Sequence, residues 1–89
     1  MISADEVMAR RQFTGVWLQI DIGKKFYREG LQNLPRQTNK LGLALQAYRF
    51  ALDVLEGNRA KLRNQQERDA FFFTEGYIIS CISNLYTAP

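Results

Sequence analysis

The sequence contains no histidine and a single cysteine, Cys81, among its 89 residues. A zinc site needs several thiolate or imidazole ligands, and nucleophilic catalysis by a thiol usually needs a histidine base, so neither can be assembled. Because Cys81 lies between Ile79 and Ile82 in an apolar stretch, it is predicted to be a buried side chain and not a redox centre. We therefore expect no metal, no cofactor and no enzymatic activity.

Long apolar runs are also missing. The longest, residues 76–86, is far shorter than the roughly 20 residues that span a bilayer. The first residues carry Asp5 and Glu6 ahead of Arg10 and Arg11 and contain no apolar segment, so they are unlike a signal peptide. These features predict a cytoplasmic protein that does not contact a membrane.

Charges of both signs are interspersed along the chain. Twelve Lys and Arg residues against nine Asp and Glu residues give a net charge of +3, and 46% of the residues are hydrophobic. This balance is typical of a folded globular chain and not of a disordered basic arm. We expect residues 1–89 to form a single helical domain.

The clearest periodicity predicts a helix from about residue 40 to residue 62, with apolar residues recurring every three or four positions. This stripe comprises Leu41, Ala44, Leu45, Tyr48, Ala51, Leu52, Leu55 and Leu62. Small Ala44 and Ala51 flank Tyr48, which would let a second helix approach closely around the ring.

An earlier helix is predicted to begin near Ala4, because Ser3 and Glu6 have the spacing of a capping box. It should end before Pro35, whose ring disfavours helical geometry at the preceding residue. A polar connection, residues 35–39, would follow, with Thr38 or Asn39 as the next cap. The apolar face of this first helix comprises Phe13, Val16, Trp17, Ile20, Tyr27, Leu31 and Leu34.

A third helix is predicted to extend to about Tyr86, after a turn at residues 63–65, because Asn64 and Glu67 repeat the capping-box spacing. The alternative is a continuous helix, since residues 59–70 are rich in helix formers. The three predicted helices indicate an all-α fold, an antiparallel three-helix bundle. Its expected core comprises Trp17, Ile20, Tyr27, Leu45, Tyr48, Leu52, Leu55, Phe72, Ile78 and Ile82.

The third helix is apolar on nearly all sides and carries no charge after Glu75. A helix of this kind needs cover on every face. One hypothesis is that Tyr77, Ile78, Leu85 and Tyr86 contact a partner protein or a second copy of the chain. The alternative is that these residues only fill the core.

Basic residues cluster around the second turn, namely Arg59, Lys61, Arg63 and Arg68. Such a cluster is typical of proteins that bind the phosphate backbone of a nucleic acid. The alternative is that these cations only complement the carboxyl end of the second helix. Contact with nucleic acid is therefore the second functional hypothesis.

The pair Ile22-Gly23, followed by Phe26 and Gly30, resembles the first helix of a tetratricopeptide repeat. Ala44, Tyr48 and Ala51 resemble the second helix of that repeat, which has an alanine, an aromatic residue and an alanine at the same spacing. The resemblance implies a helix–turn–helix hairpin that binds peptides or proteins without catalysis. Residues 44–85 are also similar to the helical segment that precedes caspase-like domains in some bacterial repeat proteins.

These patterns together favour a non-catalytic interaction or assembly module, either an adaptor or a small subunit of a larger complex. Its partner would be another protein or a second copy of the chain, in a homo-oligomer or a permanent hetero-complex. The alternative is a small basic helical subunit of a nucleoprotein complex.

Overall fold

The computed structural model describes residues 2–32 and 38–87. Helix α1 spans Ala4–Gln12, α2 spans Thr14–Gln32, α3 spans Thr38–Glu56 and α4 spans Gln65–Thr87, with a short 3-10 helix at Arg59–Lys61. Neither described range contains a strand, so the all-α prediction is confirmed. Residues 35–37 of the predicted connection, and the predicted helix end at Leu34, lie outside the described residues.

The predicted first helix is in fact two helices. Ser3 caps α1, because its Oγ accepts a hydrogen bond from the Glu6 N–H at 3.2 Å. The helix then breaks at Phe13, whose φ of −119° and ψ of 52° are not helical. The break places the Phe13 ring edge-on against Phe71, with 6.2 Å between ring centroids. The prediction of three helices is therefore wrong, since the described residues form four α-helices.

The break allows two neighbouring helices to pack against different partners. Helix α1 packs along α4. Met8 of α1 contacts Gln66, and Phe13 at the end of α1 contacts Phe71. Helix α2 instead packs mainly against α3. Helix α2 also reaches α4 through Trp17, whose indole Nε1–H donates to Thr74 Oγ1.

Helices α2 and α3 form an antiparallel hairpin. Gly23 faces the Tyr48 ring, and further along Glu29 Oε1 lies 3.3 Å from Lys40 Nζ. Ala44 and Ala51 are completely buried on either side of Tyr48. The close approach predicted from these small residues is thus confirmed.

Helix α3 ends at Glu56, six residues before the predicted end at Leu62. Gly57 and Asn58 form a turn here, in which the Asn58 side chain donates to the Val54 carbonyl at 2.9 Å. The predicted capping box then starts α4. Asn64 Oδ1 accepts the Glu67 N–H at 2.9 Å, and Glu67 Oε1 accepts the Arg63 N–H at 2.8 Å. Helices α3 and α4 are therefore separate, and the continuous alternative is wrong.

Most of the predicted core is confirmed. The buried members are Trp17, Ile20, Tyr48, Leu55 and Ile78, and those partly buried against them are Tyr27, Leu52 and Ile82. Leu45 is only half-buried. Phe72 is 53% exposed, so its assignment to the core is wrong, and Phe71 is the phenylalanine that is buried there. Cys81 is a buried free thiol, as predicted.

Candidate interaction surfaces

A shallow, mostly apolar groove lies along the α2–α3 hairpin, between the two helices. Its volume is about 290 Å³. The residues that line it are Gln19, Ile22 and Phe26 from α2, and Leu43, Gln46, Ala47 and Phe50 from α3. None of these side chains is charged, although 24% of the chain's residues are charged. We call this feature the hairpin groove.

The spacing of apolar residues along the two helices creates the hairpin groove. On α2, Leu18, Ile22 and Phe26 recur at every fourth position, which places them on one face. The α3 wall is continued beyond Phe50 by Val54. Leu18 is 60% exposed and Phe50 is 56% exposed. The apolar surface therefore reaches solvent on both walls, and a partner would bury it.

The α3 wall was not anticipated from the sequence, although a signal was present. Its apolar residues each come one position before a member of the buried stripe. These pairs are Leu43 with Ala44, Ala47 with Tyr48, Phe50 with Ala51, and Val54 with Leu55. A helix with two adjacent apolar stripes presents a wider apolar face than one neighbouring helix covers, which is the signal that could have identified this wall.

The four residues predicted to form a contact surface on the third helix have different environments. Tyr86 is 69% exposed. Leu85 and Tyr77 are half-buried, and the Tyr77 ring centroid lies 4.8 Å from that of Trp17. Ile78 is completely buried in the core. The assignment of Ile78 to a contact surface is therefore corrected, because its side chain is not accessible in this fold.

The basic residues predicted to contact nucleic acid are partly neutralised. Arg59 lies 2.9 Å from both Glu56 and Glu75, and its guanidinium stacks over the Phe71 ring at 4.6 Å. The hydrogen bond from Arg59 lowers the pKa of Glu56. A neighbouring phosphate would therefore have to compete with two carboxylates for this guanidinium.

The other three basic residues differ in whether they contact an acidic side chain. Arg63 Nη2 lies 3.3 Å from Glu67 Oε2. Arg68 donates to the neutral Gln65 side chain at 3.2 Å and is exposed. Lys61 is exposed and forms no salt bridge with any other residue that the structure describes. Two of the four cations thus remain accessible without an acidic partner among those residues.

Two further features bear on function within residues 2–32 and 38–87. No group of three or more Cys, Asp or Glu side chains there is arranged to hold a metal ion. No helix in these ranges has both the length and the hydropathy required to cross a membrane.

Comparison of the chain with protein-family models, with curated proteins and with solved structures gave no significant match. The likeness of Gly23, Ala44, Tyr48 and Ala51 to a tetratricopeptide hairpin therefore stays a hypothesis. The surfaces of the chain itself are therefore the basis for its proposed function.

Proposed function

We propose that this chain is a non-catalytic interaction module that binds an amphipathic helix of a partner protein in the hairpin groove. The observation that carries the proposal is the uncharged, solvent-exposed lining of that groove. Soluble proteins rarely leave a contiguous apolar face exposed unless another molecule covers it. An apolar groove between two helices is a common docking site for the apolar face of a third helix.

The spacing of the residues that line the groove favours a helix as its occupant. Its walls present apolar side chains at intervals of three and four residues, so they form ridges into which the ridges of another helix can pack. Ala47, which is 8% exposed, lines the groove with a small side chain. A partner backbone can therefore approach α3 at this point. Gln19 and Gln46 provide neutral hydrogen-bonding groups, and the Lys40 ammonium lies 5.5 Å from the centroid of the Phe26 ring.

Photo-crosslinking in the native host tests this proposal. A photoreactive amino acid replaces Phe50 in the groove, and in a matched variant it replaces its exposed neighbour Arg49, which does not line the groove. We expect a specific crosslink from position 50 and none from position 49. Mass spectrometry should place the linked residue in a partner helix with apolar residues three and four positions apart.

Leu43→Glu supplies the corresponding loss-of-binding test, because it places an unpaired carboxylate on the apolar wall. The crosslink from position 50 should disappear, while circular dichroism shows unchanged helix content. Equal crosslinking from positions 49 and 50, or a crosslink that survives Leu43→Glu, would contradict the proposal. A linked peptide from the chain itself would identify a second copy as the occupant.

Contact with a nucleic-acid backbone is the second candidate function. The observation that favours it is the accessibility of Lys61 and Arg68. The observation against it is that Arg59 and Arg63 already lie beside carboxylates. Protein binding in the hairpin groove has the stronger support, because none of the residues lining the groove is charged.

A further inference from the structure

A second cavity opens where α2, α3 and α4 meet, and it shares no residue with the hairpin groove. Its volume is about 350 Å³. Lys24 and Arg28 come from α2, Tyr48 comes from α3, and Tyr77, Ser80 and Asn84 come from α4. We call it the tyrosine crevice. A volume near 350 Å³ lies at the small end of the range typical of small-molecule sites, which is about 300–1,000 Å³.

The charged groups of the tyrosine crevice all have the same sign. Lys24 and Arg28 lie one helical turn apart on α2, and none of the lining residues is acidic. Neither forms a salt bridge with any residue in the described ranges. Two cations that share a cavity without a carboxylate create a positive potential in that cavity, which attracts an anion.

Lys24 is held over the crevice by a neutral group. Its ammonium donates a hydrogen bond to the Tyr77 hydroxyl and lies 5.1 Å from the centroid of the Tyr77 ring. An ammonium has three N–H donors, so two remain for a ligand. The phenol fixes the position of the ammonium without cancelling its charge, so a charge-assisted hydrogen bond to a bound anion becomes available.

The deeper part of the crevice is neutral and largely aromatic. Tyr48 is 1% exposed and Cys81, which also lines the cavity, is 9% exposed. Burial raises the pKa of the Tyr48 hydroxyl and of the Cys81 thiol, so both groups stay protonated at neutral pH. The half-buried Tyr27 adds a third ring. A ligand would therefore meet a positive rim and neutral aromatic walls.

We propose that the tyrosine crevice binds a small organic carboxylate with an aromatic body. The carboxylate would pair with Lys24 and Arg28, and the ring would pack against the half-buried Tyr27 and Tyr77. Offset or edge-on packing between aromatic rings adds to the binding that burial alone provides. An inorganic anion could satisfy the cations but would leave the aromatic walls without contacts.

Isothermal titration calorimetry with 2-naphthoate tests this site. The matched probes are 2-naphthamide, which keeps the ring system and removes the charge, and inorganic phosphate, which keeps the charge and removes the ring system. We expect 2-naphthoate to bind at least about tenfold more tightly than either, because only it uses both parts of the crevice. Comparable binding of the amide or of phosphate would overturn the proposal, as would the absence of saturable binding by 2-naphthoate.

Variants on α2 locate the bound probe. Lys24→Met should weaken 2-naphthoate binding by about tenfold or more, since it removes a charge-assisted hydrogen bond. Lys25→Met, at an exposed position outside the crevice, should change the Kd less than twofold. Equal effects of these two variants would overturn the assignment.

Arg28→Gln supplies a second test that carries little risk to folding, because Arg28 is exposed. It should also weaken binding several-fold. The indole N–H resonance of Trp17, the single tryptophan of the chain, gives an independent readout because its ring lies beside Tyr77. This resonance should shift on titration with 2-naphthoate and stay unchanged with 2-naphthamide, and the opposite pattern would contradict the proposal.

Discussion

Gly23 and Tyr48 form a close approach between α2 and α3. A Cβ atom added at Gly23 would lie 2.5 Å from Cε1 of the Tyr48 ring, and that ring is 1% exposed. A buried ring held between Ala44 and Ala51 has little room to move, because protein interiors are close-packed. The hairpin therefore depends on the absence of a side chain at position 23.

Gly23→Ala should destabilise the protein by about 1–3 kcal/mol, because it overpacks this contact. Gly42→Ala is the matched control, since it also lies within a helix but has no atom within 4 Å of the added Cβ. That change should be neutral or stabilise by up to about 1 kcal/mol through helix propensity. Urea unfolding followed by circular dichroism measures both. Equal stabilities of the two variants would contradict the close approach.

Trp17 and Thr74 supply a second test of the core. The indole Nε1–H donates to Thr74 Oγ1 at 3.2 Å, and Thr74 in turn donates to the Ala70 carbonyl at 2.8 Å. Thr74→Val should cost about 1–3 kcal/mol, because it leaves the buried indole N–H without its acceptor. In a Trp17→Phe background the same change should cost at least about 1 kcal/mol less. Strict additivity in this double-mutant cycle would show that the hydrogen bond contributes nothing.

The capping box of α4 predicts a pH dependence. Hydrogen bonding from the Arg63 N–H lowers the pKa of Glu67 below its ordinary value of 4.5. Because the pKa is lower in the folded state, this stabilisation is present above the unfolded-state pKa and is lost as the pH falls through the folded-state value. Glu67→Gln should therefore flatten the dependence of unfolding free energy on pH between about 5 and 3. Identical slopes for variant and wild type would contradict this role.

The starts of α1 and α4 and the close packing of the α2–α3 hairpin were predictable from the sequence because their signals are local. Ser3 with Glu6 and Asn64 with Glu67 mark helix starts through side chains that bond to the backbone three residues away. Likewise, small Ala44 and Ala51 on either side of Tyr48 predict that another helix packs closely against α3, whichever helix that is. Such features need no knowledge of the tertiary fold.

The errors arose where tertiary packing overrides local pattern. The break at Phe13 has no proline beside it in the sequence, and the ring that it positions contacts Phe71 in a distant helix. Among three successive phenylalanines, periodicity alone could not decide whether Phe71 or Phe72 points inward. The tyrosine crevice also combines residues from three helices, so no spacing of residues within one helix predicts it.

The nucleic-acid hypothesis makes a quantitative prediction about salt. Each phosphate contact contributes about 0.9 to the slope of log Kd against log salt concentration. Within this cluster Arg59 and Arg63 lie beside carboxylates, so if the cluster alone contacts the duplex, Lys61 and Arg68 should give a slope of about 2 for a labelled duplex. Fluorescence anisotropy at several salt concentrations measures it. A slope of about 4, reduced by half in Arg59→Ala with Arg63→Ala, would instead show that all four cations contact the backbone.

Self-association through the carboxyl-terminal half of α4 is the last prediction. With Ile78 buried, Tyr86 is the most exposed of the residues expected to contribute, and Leu85 lies half-buried beside it. If this surface joins two copies, Tyr86→Asp should convert the protein to a monomer, because a charge opposes burial at an apolar interface. Since Tyr86 is largely exposed, the variant should keep the helix content and thermal stability of the wild type.

Multi-angle light scattering over a range of protein concentrations tests this, with Phe50→Asp in the hairpin groove as the matched variant. Loss of the oligomer in Tyr86→Asp alone supports the α4 surface. Loss in Phe50→Asp alone assigns self-association to the groove, because the two residues belong to different helices. A wild-type chain that stays monomeric at high concentration contradicts self-association, and the exposed Tyr86 ring would then be an isolated apolar group of the kind that monomers commonly tolerate.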